Sequence, residues 1–88
     1  MNAAAILCEN IRRIRLANDW SQELVAEKAG LGARHFQDIE AGRRDGLRLA
    51  TVEKIAAALG VLPWELLQES RFPEPVRRRG KSGPAIER

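Results

Sequence analysis

Residues 21–42 read SQELVAEKAGLGARHFQDIEAG, a stretch that contains two short helical patterns joined by a tight turn. Ser21 offers a hydroxyl that caps a helix N-terminus, and Gly30 suits the left-handed residue after a helix C-terminus. Between them we expect a helix over Gln22–Ala29, with an inward face formed by Leu24, Val25 and Ala29. The link 30–32 is about three residues long before apolar spacing resumes at Phe36 and Ile39, which predicts a second helix directly after it.

The second helix is expected over Ala33–Ala41, and Gly42 ends it. Phe36 and Ile39 mark its buried side. The opposite side carries, at helical spacing, Arg34, Gln37, Asp38 and Ala41. This stripe is polar and mostly uncovered, so it is free to meet a partner.

Three further helices complete the predicted fold, which is all-α with five helices. A first helix should span Ala3–Ala17, a fourth should end at Gly60, and a fifth should start at Pro63. The apolar residues expected in the shared core are Trp20, Leu24, Ala26, Leu31, Phe36, Ile39, Val52, Ile55 and Leu59.

Length and charge define the organisation of the chain. The 88 residues suffice for one small domain, and 44% hydrophobic with 31% charged residues is the balance of a folded protein. Residues 1–70 hold nine Lys/Arg against ten Asp/Glu, whereas residues 71–88 hold six against two, so the net charge of +3 belongs to the tail. We expect a domain over 1–70 and a flexible, basic, Pro/Gly-rich tail over 71–88. If the domain binds an anionic partner, it must then do so through a local patch of cations.

Several classes of protein are not expected. No apolar run approaches the ~18–20 residues of a membrane span, and a secretory signal pattern is missing, so we expect a cytoplasmic protein without membrane contact. One cysteine, Cys8, and one histidine, His35, are too few for the usual zinc sites, so we expect no metal and no cofactor. No pair of carboxylates and no nucleophile–base pair stands at a spacing typical of an active site, so we do not expect an enzyme.

Two short helices with a tight turn, of which the second presents a polar stripe, form a helix-turn-helix unit. The major groove of B-DNA is about 12 Å wide and admits one helix, which needs polar side chains outside and apolar ones holding it to the body. The helix over 33–41 meets both requirements, and Arg43 and Arg44 follow it directly.

The chain resembles the lambda repressor and Cro-like helix-turn-helix family, also called the xenobiotic-response-element type, over roughly residues 5–68. The matching segments are IRRIR (11–15), WSQELVA (20–26), GL (30–31), IEAG (39–42) and IAAALGV (55–61). The most specific of them are the start of the second helix and the IEAG that follows it. One departure is Gly32, which stands where this family usually has Ser or Thr.

The resemblance implies a set of base contacts on the second helix of the unit. The positions that read bases in this family correspond to Ala33, Arg34, Gln37 and Asp38. Their chemistry suits a thymine methyl, guanine O6/N7, adenine N6/N7 and cytosine N4, respectively.

The resemblance also implies phosphate contacts and a scaffold. Phosphate contacts are expected from Gln22, His35, Arg43, Arg44 and Arg48. Gln22 matches a family glutamine that also braces the second helix of the unit. Arg15 and Glu40 match a family ion pair that locks the second helix of the unit to the body. Leu62 and Trp64 lie near the surface that family members use for two-fold dimers.

The expected function is that of a sequence-specific transcription regulator, a repressor or autoregulator, that binds a near-palindromic operator in double-stranded DNA as a homodimer. Two alternatives use the same fold: the antitoxin of a toxin–antitoxin pair, with a toxin or another regulator as its protein partner, and a restriction–modification controller. A third is a protein–protein adaptor that has lost DNA binding, which the net charge of −1 in residues 1–70 favours slightly.

Overall fold

The computed structural model describes residues 2–44 and 46–69, and the predicted tail over 71–88 lies outside them. The described part contains four α-helices and one short 3₁₀ helix, and it contains no strand. The α-helices are α1 (Ala3–Ala17), α2 (Gln22–Ala29), α3 (Ala33–Glu40) and α4 (Leu49–Leu59). The all-α fold is thus confirmed, while the fifth element is a 3₁₀ helix over Pro63–Leu67 rather than an α-helix.

The helix ends follow the capping chemistry of the sequence. The Ser21 hydroxyl oxygen accepts from the Leu24 N–H at 3.0 Å, which satisfies one of the N–H groups that open α2. Gly30 ends α2 in the left-handed conformation with φ of 73°, a value that residues with a Cβ rarely adopt. Gly32 precedes α3 without any side-chain cap. The link between α2 and α3 therefore has only three residues, which keeps the two helices in direct contact.

The apolar core lies where the four α-helices and the 3₁₀ helix meet. α2 packs on α3 and α4, and α1 packs on α3 and the 3₁₀ helix. Phe36 is fully buried in α3. The other fully buried large side chains are Ile11, Ile14, Val25, Ile39, Ile55, Leu59 and Leu66. Since every element contributes to one core, burial of the inner face of α3 leaves its other face outside.

One predicted core residue is wrong, and two are only partly buried. Leu24 is exposed, because the buried face of α2 is formed by Val25, Ala26 and Ala29. Leu24 precedes Val25 by one residue, about 100° around the helix, which places it at the edge of that face. Trp20 and Leu31 pack against the core from its margin, and the remaining predicted core residues are buried.

Side-chain hydrogen bonds hold both ends of the 3₁₀ helix. The Glu65 carboxylate accepts from the Leu62 N–H at 2.9 Å, and the backbone returns to an extended conformation at Gln68. Asn10 of α1 is buried, and its amide donates to the carbonyl oxygens of Leu66 at 2.8 Å and Gln68 at 3.3 Å. This single side chain therefore ties the last described element to the first.

We predict that Asn10→Ala lowers the free energy of unfolding by about 1–3 kcal/mol, because two carbonyl groups lose their donor in a buried setting. Urea denaturation followed by circular dichroism measures this loss. The control is Arg12→Ala, an exposed position on the same helix, for which a change within about 0.5 kcal/mol is expected. Equal effects of the two substitutions would show that Asn10 does not hold the 3₁₀ helix.

Candidate nucleic-acid interface

The outer face of α3 carries the four predicted base-contact residues. Arg34 is the most exposed of them, with 85% of its side chain accessible. Ala33, Gln37 and Asp38 are half-buried, since they stand nearer to the flanks of the helix. The helix is held to the body on its other side by Phe36 and Ile39. The structure therefore brings these four residues together on the solvent side of α3.

A carboxylate lies between two of the arginines on this surface. Asp38 Oδ1 accepts from Arg43 Nη1 at 2.9 Å, and it lies 3.6 Å from Arg34 Nε. Asp38 is only 22% exposed, whereas the Arg43 side chain is 66% exposed. We call these three residues the Asp38 cluster. Its contacts link the end of the α3 surface to the loop that follows, a connection that helical periodicity does not predict.

Three of the five predicted phosphate-contacting residues lie around one surface cavity. His35, Arg44 and Arg48 line a cavity of about 270 Å³ together with Gly46, Leu47 and Thr51. Arg43, Arg44 and Arg48 are all exposed. Thr51, in the first turn of α4, is a polar residue of this cavity that the apolar spacing of α4 does not predict.

Beneath the outer face, a buried cluster joins α1, α2 and α3. Arg15 Nε donates to Glu40 Oε2 at 2.7 Å, and Arg15 Nη2 donates to Glu40 Oε1 at 3.2 Å. The Gln22 side-chain amide also donates to Glu40 Oε1. Arg15 and Glu40 side chains are only 12% and 4% exposed. We call Arg15, Gln22 and Glu40 the Glu40 cluster, and it fixes the C-terminal end of α3.

Two further residues, Trp20 and Cys8, make hydrogen bonds next to the Glu40 cluster that the sequence does not predict. Arg15 Nη1 donates to the Trp20 carbonyl oxygen at 2.9 Å, so the guanidinium also holds the loop between α1 and α2. The Cys8 thiol donates to the Ile39 carbonyl oxygen at 2.9 Å. Burial, and secondarily the charge of Glu40, raises the pKa of the Cys8 thiol, which keeps it as a neutral donor. The Cys8 contact has no local sequence signal, since Cys8 and Ile39 are 31 positions apart.

Gln22 occupies the first position of α2 and is half-buried. A side-chain amide has two N–H donors, and Glu40 receives one of them. The second N–H and the first backbone N–H groups of α2 are suited to an anion at the helix N-terminus. Gln22 is thus positioned by Glu40 at the place where a phosphate contact is expected.

The two residues predicted at a dimer interface are exposed in the single chain. Leu62 is 43% exposed and Trp64 is 60% exposed, at the start of the 3₁₀ helix. An exposed Trp with an apolar neighbour is a frequent feature of protein–protein interfaces.

A helix-turn-helix family model matches residues 11–67. The chain belongs to the helix-turn-helix family. The lambda repressor-like, xenobiotic-response-element type that the motifs indicate is confirmed. The match includes all four α-helices at least in part, and it includes the 3₁₀ helix completely.

Two relatives share the helix-turn-helix segment. A hypothetical transcription factor of Neisseria meningitidis serogroup B is 40% identical over 63 residues, which cover 72% of this chain and 58% of that protein. The chain thus spans less than two thirds of the length of this relative. Control protein C.BamHI of Bacillus amyloliquefaciens is 39% identical over 67 residues, which cover 75% of this chain and 82% of that protein.

Two crystal structures have a similar fold. The hypothetical transcription factor NHTF from Neisseria superposes with a TM-score of 0.75 at 35% identity, covering 82% of each chain. The restriction-modification controller protein C.AhdI from Aeromonas hydrophila superposes with a TM-score of 0.67 at 32% identity, covering 72% of this chain and 94% of that one.

The helix-turn-helix family is a DNA-binding family, and these relatives are named as a transcription factor and as restriction–modification control proteins. Within the described residues, no group of His, Cys, Asp or Glu is arranged to hold a metal ion. None of the described helices combines the length and the apolar character that crossing a membrane requires.

We predict that Glu40→Ala destabilises the helix-turn-helix domain by about 3–5 kcal/mol, because the Arg15 guanidinium stays buried without its carboxylate. Chemical denaturation at neutral pH measures the change. The matched control is Glu9→Ala, which breaks the Arg13–Glu9 pair, whose side chains are 34% and 41% exposed. The control should lose no more than about 0.5 kcal/mol. A loss for Glu40→Ala as small as that of the control would contradict a locking role of the cluster.

Proposed function

We propose that this helix-turn-helix protein is a sequence-specific transcription regulator, and that it binds a near-palindromic operator as a homodimer with α3 in the major groove. The observation that carries the proposal is the outer face of α3, with exposed Arg34 at its start and exposed arginines directly after it. A groove-reading helix needs this division between a buried apolar side and an accessible polar side.

The base-reading roles proposed for α3 follow from its exposed chemistry. Arg34 presents a planar donor fork for guanine O6 and N7, and Gln37 presents an amide for adenine N6 and N7. Ala33 is suited to a thymine methyl group, and Asp38 to the amine of cytosine. The high exposure of Arg34 supports its role, since a long side chain that reaches a base edge must not be held by the core.

The phosphate-contacting roles are proposed for Gln22, His35, Arg43, Arg44 and Arg48. Three of the five line the cavity beside α3, and the exposed cations are gathered after α3. Because residues 1–70 carry a net charge of −1, attraction to DNA must come from this local group of cations.

Homodimer formation is proposed through Leu62 and Trp64. Dimers of this type place two equivalent helices in successive major grooves, so half-sites about 10–10.5 bp apart are expected. With this spacing, the operator repeats the two-fold symmetry of the protein. Bound across a promoter, such a dimer acts as a repressor or autoregulator by position.

Control of a restriction–modification system is the sub-role that the relatives favour. Control protein C.BamHI and the restriction-modification controller C.AhdI both match most of their own length, at 82% and 94%. A methyltransferase or endonuclease gene beside the gene of this protein is the observation that supports this sub-role. A neighbouring toxin gene would instead support the antitoxin alternative.

The DNA-binding proposal is tested by comparing Arg34→Ala with Arg43→Ala. We expect Arg34→Ala to relax the preference at one base position by about 1–3 kcal/mol, because it removes a bidentate base contact. Arg43→Ala should weaken binding to all duplexes alike and reduce the slope of log affinity against log salt by about 0.9. Fluorescence anisotropy with duplexes selected from a random pool measures both. Unchanged discrimination by Arg34→Ala would contradict the base-reading role, and wild-type protein without salt-sensitive duplex binding would favour the adaptor alternative.

The dimer proposal predicts that Trp64→Glu weakens self-association. A buried interface Trp commonly contributes about 2 kcal/mol or more, which corresponds to a dissociation constant raised roughly 30-fold. Sedimentation equilibrium measures the dimer dissociation constant. The control is Leu49→Glu, which places the same charge at another exposed apolar position, 69% exposed in the single chain. If both variants associate like the wild type, the dimer does not use Trp64.

A further inference from the structure

The Asp38 cluster places an acid between two arginines that are proposed to contact DNA. Asp38 Oδ1 accepts from Arg43 at 2.9 Å and lies 3.6 Å from Arg34. In the described part of the chain, Asp38 is the only acid in contact with either arginine. The free protein therefore holds one carboxylate against two of the cations that its DNA contacts require.

Stability does not account for this arrangement. The two arginine side chains are 85% and 66% exposed, and exposed ion pairs contribute little to folding because water and salt screen them. α3 is already held by Phe36, Ile39 and the Glu40 cluster. The contacts of Asp38 with Arg34 and Arg43 thus lie at the surface, where an anionic ligand can compete with Asp38 for the two arginines.

DNA phosphate is such a competitor. When Arg43 binds a phosphate, its guanidinium must leave the Asp38 carboxylate or interact with both anions. The carboxylate also repels a phosphate that comes close. Asp38 therefore weakens binding to a duplex of arbitrary sequence, because no base contact of Asp38 offsets the repulsion there. On a matching site, Arg34 moves onto a guanine and the carboxylate can accept from a cytosine amine, so the repulsion is offset.

We propose that Asp38 is a specificity-determining residue that acts as an exchangeable counterion of Arg43 and Arg34. It lowers affinity for DNA of arbitrary sequence more than affinity for the operator, so it widens the ratio between the two. This inference rests on the proposed DNA binding, but it concerns discrimination rather than binding itself.

The test compares wild type with Asp38→Asn, which keeps the shape of the side chain and removes its charge. Two probes are used: a random-sequence duplex, and a duplex selected from a random pool with the wild-type protein. We expect affinity for the random duplex to rise roughly three- to tenfold, because the carboxylate no longer competes with phosphate for Arg43. Affinity for the selected duplex should rise less or fall, so the ratio of the two affinities decreases.

The matched control is Glu27→Gln, which makes the same change of charge at an exposed position of α2. It should raise affinity for both duplexes by the same small factor. Equal behaviour of Asp38→Asn and Glu27→Gln would overturn the proposal, and so would an equal rise on both duplexes for Asp38→Asn. Circular dichroism of each variant verifies the helical fold.

A double variant tests whether Arg43 is the arginine for which Asp38 competes with phosphate. In an Arg43→Ala background, most of the gain in affinity for the random duplex from Asp38→Asn should disappear. The reason is that the arginine for which Asp38 competes with phosphate is missing. A gain that persists in full would overturn the counterion role. If the wild type binds neither duplex in a salt-dependent way, the proposed function fails together with this inference. If the wild type binds but the variants behave like the control, only this inference fails.

Discussion

A buried carboxylate holds together the helices on which the candidate interface is built. Glu40 ends α3, and it accepts hydrogen bonds from Arg15 of α1 and Gln22 of α2. A carboxylate with a side chain only 4% exposed needs such partners, since a buried charge without them is very costly. Phe36 and the rest of the core provide the burial that attaches α3, but apolar contacts have little directionality. The Glu40 cluster supplies that directionality and so fixes the C-terminal end of α3 relative to α1 and α2.

The Arg15–Glu40 and Arg43–Asp38 contacts of α3 differ in their surroundings rather than in their chemistry. Arg15 and Glu40 are almost completely removed from water, so their pairing is fixed once the chain has folded. Asp38 and Arg43 lie at the surface, where water and salt weaken the pair and another anion can replace the carboxylate. One helix therefore carries a permanent ion pair beneath its surface and an exchangeable one on it. This division suits a regulator that must keep a rigid shape while its exposed charges change partners.

Local signals account for most of what the sequence predicts correctly. The bounds of α1 and α2 follow from apolar periodicity, from the Ser21 cap and from Gly30, all of which act within a few residues. Leu24 is the exception in α2, because a difference of one residue decides between the buried face and its edge. The pattern at Pro63 predicts a helix but not its type, and it does not predict that Asn10 of α1 binds the end of the segment.

The sequence by itself determined the helices, the turn between α2 and α3, and the polar composition of the outer face of α3. It also indicated the family, and through that resemblance the Arg15–Glu40 pair. The resemblance likewise indicated that Gln22 braces α3. Only the tertiary structure decided that Glu40 is the group that Gln22 contacts, and that the Cys8 thiol meets the Ile39 carbonyl. The physical reason is that periodicity orders side chains around one helix axis. Contacts between helices and loops depend on the packing of the core, which no single segment encodes.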